Sequence, residues 1–541
     1  LNRYLVCVPW FLSLWICSFC DETEGGQAAV PVHGLVLTDS MELVIPRDEG
    51  VHCFNLFLSE VEEKKLVASL EKISKGQDLS VEFCQEVKEE ITQFYEKQGR
   101  PFVQVRIPEQ EITDGVMVVN VQESRLGKVS IEGARWFPSD WYRSSIRSEE
   151  GMPLKVAQLQ EDVSWMDRNP FRSVDVICKP GTRSGATDVD LLVKDLRPVK
   201  ATVGTDNTGF KDDGYQRAFA SLCIGNLFSL GQVFSYQYTT DYDFKLFQSH
   251  TASYEIPCFW RHLVSFFGGI SFVRTPLEST GKMRSHGDSF QGSTRYTIPF
   301  AQGTRVPQEI RFGCDFKRMN NNVIFGGQTV TSKNVDLFQF LLEYKLFAAT
   351  PNITHQFSVE AVLSPGPLLP NMNSADFDLL RPGAGPNYFY LRGALKETFR
   401  LPYRFSIDLD FAFQLSTKKL LASEQFGLGG YSSVRGYQER AVNADNAVLL
   451  RLEPRFPSIS LPKKAGTLSF FLFSDVGVGI DQLKLASDYR TSQVLVGVGP
   501  GFRYHYKNNI FMRFDWGYQL TNIQNNPAGH NRINFGASFS L

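Results

Sequence analysis

Arg532-Ile533-Asn534-Phe535-Gly536-Ala537-Ser538-Phe539-Ser540-Leu541 is the stretch that decides the fold. Successive side chains of a strand point to opposite faces. Ile533, Phe535, Ala537, Phe539 and Leu541 therefore share one face, and Arg532, Asn534, Gly536, Ser538 and Ser540 the other. One face suits hydrocarbon, the other water. An edge strand this apolar is an aggregation hazard in a soluble sheet, and closing the sheet into a barrel removes the edge. The same alternation recurs upstream. It can be followed through about sixteen segments, from 199–209, 215–228 and 232–242 to 493–506, 509–520 and 530–541. The reading for residues 197–541 is an all-β transmembrane barrel of about 16 antiparallel strands.

Loop lengths support this independently. If the first strand rises from the periplasmic side, Asn352, Pro402-Tyr403 and Lys507-Asn508 lie in periplasmic connections, all very short. The alternate connections 277–287, 365–387 and 417–445 are long, and short inner turns with long outer loops mark outer-membrane barrels. Composition agrees. The chain is 43% apolar with a net charge of −2, so it carries no electrostatic footprint for nucleic acid, while 44 Phe, 19 Tyr and 43 Gly suit a barrel wall.

The N-terminus reads as a secretory signal peptide over residues 1–20: Arg3, then an apolar run from Tyr4 to Phe19, then the polar 21–27. The alternative is a buried or amphipathic helix, against which no polar face appears before Asp21. Phe19 stands where lipid attachment at Cys20 would want a small residue. No later stretch is apolar for the length of a membrane helix, so any span downstream must be made of strands. Of the nine cysteines, Cys53 and Cys84 fall close enough in one small region for either a disulfide in an oxidising compartment or two buried thiols.

Residues 33–123 and 124–196 read as two copies of one α+β design. In the first, 51–57 is a strand, and Ser80 caps a helix bearing Cys84, Val87, Ile91 and Phe94 on one face. Gly99 ends that helix, and two strands follow, joined at Asp114-Gly115. In the second, 129–131 is a strand and Leu159, Val163 and Met166 face one side of a helix. Asn169-Pro170 breaks that helix, and 174–177 pairs with 189–193.

Tyr95 with Gly99, Pro108 through Gly115, Asn169-Pro170-Phe171-Arg172, Pro180-Gly181 and Gly185 to Asp188, in this order and spacing, resemble the POTRA domains of two-partner secretion transporters of the haemolysin-activator type. The barrel carries a second resemblance. The longest loop holds Phe426-Gly427-Leu428-Gly429-Gly430 and then Ser433-Val434-Arg435-Gly436-Tyr437, and the thirteenth segment holds Phe473-Ser474-Asp475-Val476-Gly477. The pair is similar to the sixth-loop and wall motifs of the outer-membrane assembly and secretion superfamily. That resemblance implies a loop folded into the lumen, locked by Val434, Arg435, Gly436 and Tyr437 against Phe473, Asp475 and Gly477. Arg435 would pair with Asp475, and guanidinium grips a carboxylate with two charge-assisted hydrogen bonds. The chain departs from the resemblance at two points. Only a short stretch precedes His33, where many members have a plug helix and linker, and Leu541 stands where a terminal aromatic is usual.

The function implied is recognition of a secreted partner protein, expected to be large and β-helical, by periplasmic POTRA domains and its export through a barrel in the bacterial outer membrane. Outer-membrane lipid and the barrel-assembly machinery would be further partners, and nucleic acid none. The alternative is an assembly factor of the same superfamily that inserts other membrane proteins, against which two POTRA copies are few. A passive porin would leave the N-terminal copies unexplained.

No enzyme activity, cofactor or metal is expected. Gly497-Val498-Gly499-Pro500-Gly501 resembles a dinucleotide loop, but an alternating strand follows it instead of a helix. His250, His262, His286, His355, His505 and His530 have no metal-ligand spacing.

Overall fold

The structure, a computed structural model, describes residues 5–7, 30–39, 49–110, 112, 115–183, 185–210, 213–276, 283–304, 306–320, 322–325, 328–331, 334–462, 465–482, 492–523 and 527–541. Cys17, Cys20 and the rest of residues 1–20 apart from Leu5–Cys7, the stretch read as a signal peptide, lie outside these residues, as do Asp114 and 277–282. The chain divides into two units, Asn2–Leu196 and Arg197–Leu541.

The N-terminal unit holds two four-stranded sheets. In the first, Gly34–Thr38 lies between Gly50–Phe54 and Val116–Glu123, parallel to both, and Val103–Arg106 pairs antiparallel with Val116–Glu123. Gly34–Thr38 is buried throughout, and its Leu35-Val36-Leu37 run lacks the alternation that would have marked it in the sequence. Helices Glu60–Ser74 and Val81–Lys97 cover this sheet with Leu66, Leu70, Phe83, Val87 and Ile91. The first helix is marked by a capping box: Ser59 Oγ accepts from Glu62 N–H, and Glu62 Oε2 accepts from Ser59 N–H at 2.8 Å. Ser80 Oγ accepts from Phe83 N–H at the start of the second, and Gly99, at φ +75°, follows its end.

In the second sheet Arg172–Pro180 pairs antiparallel with Ala186–Asp195, which pairs in parallel with Arg125–Glu132. Helix Val156–Met166 buries Leu159, Val163 and Met166. The outer edge of Arg172–Pro180 receives Leu5–Cys7 as a parallel strand, Val6 opposite Ile177. Gly99 explains part of its motif here. Its carbonyl accepts from Val156 N–H at 2.9 Å, and a Cβ on it would lie 3.1 Å from that of Ala157, so the two copies meet there. Cys53 and Cys84 are free thiols, but partly buried and not the fully buried pair of the second reading.

The second unit is a closed antiparallel barrel whose wall has sixteen strands. The first is Val199–Asp206, the second Arg217–Leu227, the eleventh Ser406–Ser416, the twelfth Asn446–Arg455, and the last four are Thr467–Ile480, Ser492–Tyr506, Ile510–Gln519 and Asn531–Ser540. Alternation sorts the two faces. Phe266, Phe312, Leu342, Leu472, Ile533 and Phe539 are exposed on the outside, whereas Asp315, Gln339, Asp475, Asp515 and Asn534 are buried within. The connection read as 277–287 is shorter than expected, because the sixth strand already begins at Met283. A helix unforeseen in the sequence, Ser374–Leu380, lies in the loop after the ninth strand and buries Phe377 with Tyr388, Tyr390 and Leu420.

The ladder that closes the ring is brief. The last strand meets the first over five pairs, from Ser540 opposite Thr202 to Gly536 opposite Asp206, whereas it meets the fifteenth over nine. Side chains extend the closure. Asn207 Nδ2 donates to the Ile533 carbonyl at 2.7 Å, and Phe535 N–H donates to Asn207 Oδ1 at 2.9 Å. Arg513, Gly536 and Asp206 form one row across the fifteenth, sixteenth and first strands. A Cβ on Gly536 would sit 2.6 Å from Arg513 Nε, so the missing side chain lets Arg513 cross to Asp206, 3.5 Å from Nη2 to Oδ2.

Candidate functional site

The loop between the eleventh and twelfth strands turns into the barrel on a small ribbon, Phe426–Leu428 paired with Val442–Ala444. Beyond it the chain doubles back in a tight turn at Gly429-Gly430, both at positive φ, and Gly430 N–H donates to the Val434 carbonyl at 3.0 Å. A side chain at Gly430 would strike the Glu439 carboxylate, whose Oε1 accepts from Tyr431 N–H at 2.7 Å. Left-handed backbone and crowding together require glycine here. The tip that results is buried: Val434 and Arg435 are 0% exposed and Tyr437 is 1% exposed.

The wall opposite is built to receive it. A Cβ on Gly497 would lie 1.8 Å from the Arg435 carbonyl oxygen, and one on Gly517 would lie 2.3 Å from Gly436 N. On the thirteenth strand, a Cβ at Gly477 would meet Val434 and Leu428 within 2.9 Å. Three neighbouring strands thus present bare backbone where the loop rests. Tyr437 fastens the far side: its hydroxyl is 2.7 Å from Thr521 Oγ1 and accepts from Val496 N–H at 3.2 Å.

Arg435 and Asp475 are brought together. Asp475 Oδ2 accepts from Arg435 Nε at 2.7 Å and from its backbone N–H at 3.0 Å, and Oδ1 accepts from Nη2 at 2.7 Å. The guanidinium lies 3.7 Å above the Phe473 ring, which gives that motif residue a stacking role. Two carboxylates unforeseen in the sequence complete the shell: Nη1 donates to Glu453 Oε1 at 2.6 Å and is 3.7 Å from Asp515. Arg451, Arg455 and Arg503 balance them, Arg455 reaching Glu453 at 2.8 Å and Arg503 reaching Asp515 at 2.9 Å. A signal for these existed. In Arg451-Leu452-Glu453-Pro454-Arg455 the charged residues fall on one face of a strand whose other residues are apolar, which marks an inward row.

Next to this cluster is a cavity of 280 Å³ whose lining includes Lys396, Asp408, Asp410, Tyr431, Arg451 and Arg455, a polar, charged interior. The tip also touches the closing ladder, because Arg513 stacks over the Tyr431 ring at 3.6 Å. Nearer the outer end, the base of the loop is clasped to the preceding outer loop: Arg381 donates to Asp445 at 2.5 and 3.1 Å and to the Leu420 carbonyl at 2.6 Å. Glu424, fully buried, accepts from Lys317 at 2.7 Å and from the Tyr390 hydroxyl at 2.9 Å. Among the described residues no group of His, Cys, Asp and Glu could hold a metal ion.

Residues 185–504 match the family described as haemolysin secretion/activation protein ShlB/FhaC/HecB. Among curated proteins, the outer membrane transporter CdiB of Dickeya dadantii is 23% identical over 418 residues, 74% of this chain and 70% of that protein. CdiB of Escherichia coli O6:K15:H31 is 24% identical over 403 residues, 72% and 65% of the two chains. The hemolysin transporter protein HpmB of Proteus mirabilis is 22% identical over 367 residues, 66% and 63%. In solved structures, CdiB from Escherichia coli superposes with a TM-score of 0.79 at 20% identity, covering 97% of this chain and 93% of that one. CdiB from Acinetobacter baumannii gives 0.69 at 16% identity, covering 96% and 91%.

Proposed function

Given that the chain belongs to the ShlB/FhaC/HecB haemolysin secretion/activation family, whose members are outer-membrane transporters, we propose that it captures one partner polypeptide in the periplasm and exports it through its barrel. The observation that carries this reading is the buried Arg435 loop. It is seated on bare backbone inside a closed barrel whose interior is lined with paired charges. A polar, charged lining suits an extended polypeptide, whose backbone needs hydrogen-bonding groups wherever it is not paired with itself. Val434, Arg435, Gly436 and Tyr437 against Phe473, Asp475 and Gly477 act as the lock that fixes the loop.

Capture is assigned to the N-terminal unit. Strand addition to a free sheet edge recognises an extended peptide through main-chain hydrogen bonds. The edge of Arg172–Pro180 has the geometry for it: it takes Leu5–Cys7 as a parallel strand, and loss of residues 1–20 as a signal peptide would free it for the partner. The partner is expected to be large and β-helical, with folding outside the cell as the driving force, and the barrel-assembly machinery inserts the barrel itself. Co-expression with the protein encoded next to it tests the reading. That protein should appear in the medium only when this chain is present, and a medium equally loaded without it would refute export.

A further inference from the structure

A groove of 590 Å³ runs along the second sheet of the N-terminal unit, beside Arg125–Glu132. Its rim carries Arg125, Lys128, Arg143 and Arg183 against only Glu150 and Asp188. Both acids are already engaged. Glu150 takes the Arg143 guanidinium at 2.5 Å. Asp188 Oδ1 accepts from Lys128 N–H at 2.7 Å and fills the space that side chains on Gly127 and Gly181 would need. Arg125 is held loosely, 3.6 Å from Asp39 and 4.6 Å above the Phe57 ring. Lys128 and Arg183 are exposed and have no ion-pair partner among the described residues. This is a local reversal of sign, because acidic side chains outnumber basic ones over residues 33–196.

The strand beside the groove is not open to another strand. Leu126 N–H donates to the Met152 carbonyl at 2.8 Å, its own carbonyl accepts from Gly151 N–H at 2.7 Å, and the Val129 carbonyl accepts from Arg143. An occupant must therefore be read through its side chains. The floor is the buried Leu126, and Gly151, where a side chain would meet nothing within 4 Å, leaves room for a chain to lie close.

We propose that this groove binds an acidic, extended segment of the exported polypeptide, with Lys128 and Arg183 as the cations that select it. The inference rests on the export reading and adds to it a charge rule for the cargo. The test uses the full chain in lipid nanodiscs and three short fluorescein-labelled peptides of the same apolar pattern, alternating with Glu, Gln or Lys. The Glu peptide should bind best, with affinity falling as salt rises. Combined Lys128→Glu and Arg183→Glu should weaken it about tenfold, the worth of two exposed ion pairs. Lys64→Glu, an equal charge change on an exposed helix position, should not.

Equal binding of the three peptides overturns the proposal, as does an equal loss from Lys64→Glu. Phosphatidylglycerol vesicles that displace the Glu peptide and bind more tightly would assign the groove to lipid and also overturn it. Export is scored separately in the same variants. A chain that ignores the Glu peptide yet secretes its partner sinks the groove reading alone, whereas one that binds the peptide and secretes nothing sinks the export reading.

Discussion

Arg435 has no exposed surface and three carboxylates around it, so its charge is tolerable only because Asp475 and Glu453 meet it with short hydrogen bonds. Removing it strands those acids instead of freeing them. Arg435→Ala should cost about 3 to 5 kcal/mol at the loop, the scale for breaking one side of a buried pair. Arg435→Lys should recover little, because an ammonium cannot serve Asp475 through Nε and Nη2 while serving Glu453 through Nη1. Secreted partner per folded barrel, with folding scored by heat-modifiable migration in gels, is the measurement. Wild-type secretion from Arg435→Ala would mean the pair is structural decoration, and loss of folded barrel would mean it serves assembly first.

Among the elements, the short closing ladder and the long loop are joined through Arg513. Arg513 crosses Gly536 to reach Asp206 on the first strand while its other face rests on Tyr431 of the loop. Five ladder pairs are few for a seam that must close the whole ring, so a cation spanning three strands contributes where backbone pairing is thinnest. Arg513→Ala should raise amide exchange of Val199–Asp206 and Asn531–Ser540 several-fold by local opening, and leave Asn334–Ala349, the eighth strand on the opposite part of the wall, unchanged. Tyr431→Ala should do the same more weakly. Uniform protection in both variants would show that the ladder and Asn207 suffice.

At the scale of the whole molecule the two units should respond separately to base. Burial, with Glu63 nearby, pushes the Cys53 thiol up to about 12. The folded N-terminal unit thus keeps a proton that its unfolded chain gives up near the ordinary thiol range. The stability from that proton is complete below pH 8.5 or so and is lost as pH climbs toward 12. Alkaline titration should melt the N-terminal unit first, and Cys53→Ser should flatten the fall. A single transition shared with the barrel would contradict this. The same division explains what was legible. Sixteen strands and their facing could be read because a barrel strand advertises its two solvents residue by residue, whereas the Arg435–Asp475 meeting followed only from the resemblance of the loop and wall motifs. Gly34–Thr38 has no such alternation, Ser374–Leu380 is a seven-residue helix inside a loop, and Glu453 and Asp515 belong to the site only through strand register.

The seat of bare backbone at Gly477, Gly497 and Gly517 also fixes how the sequence can drift. While the loop is in place a methyl group would strike loop backbone at Gly497 and Gly517 and the Val434 and Leu428 side chains at Gly477, so no single substitution in the loop relaxes all three. Lineages descended from this chain are therefore confined to exchanging wall and loop together. Swapping the 417–445 segment between distant relatives should fail unless the strands beneath it travel with it.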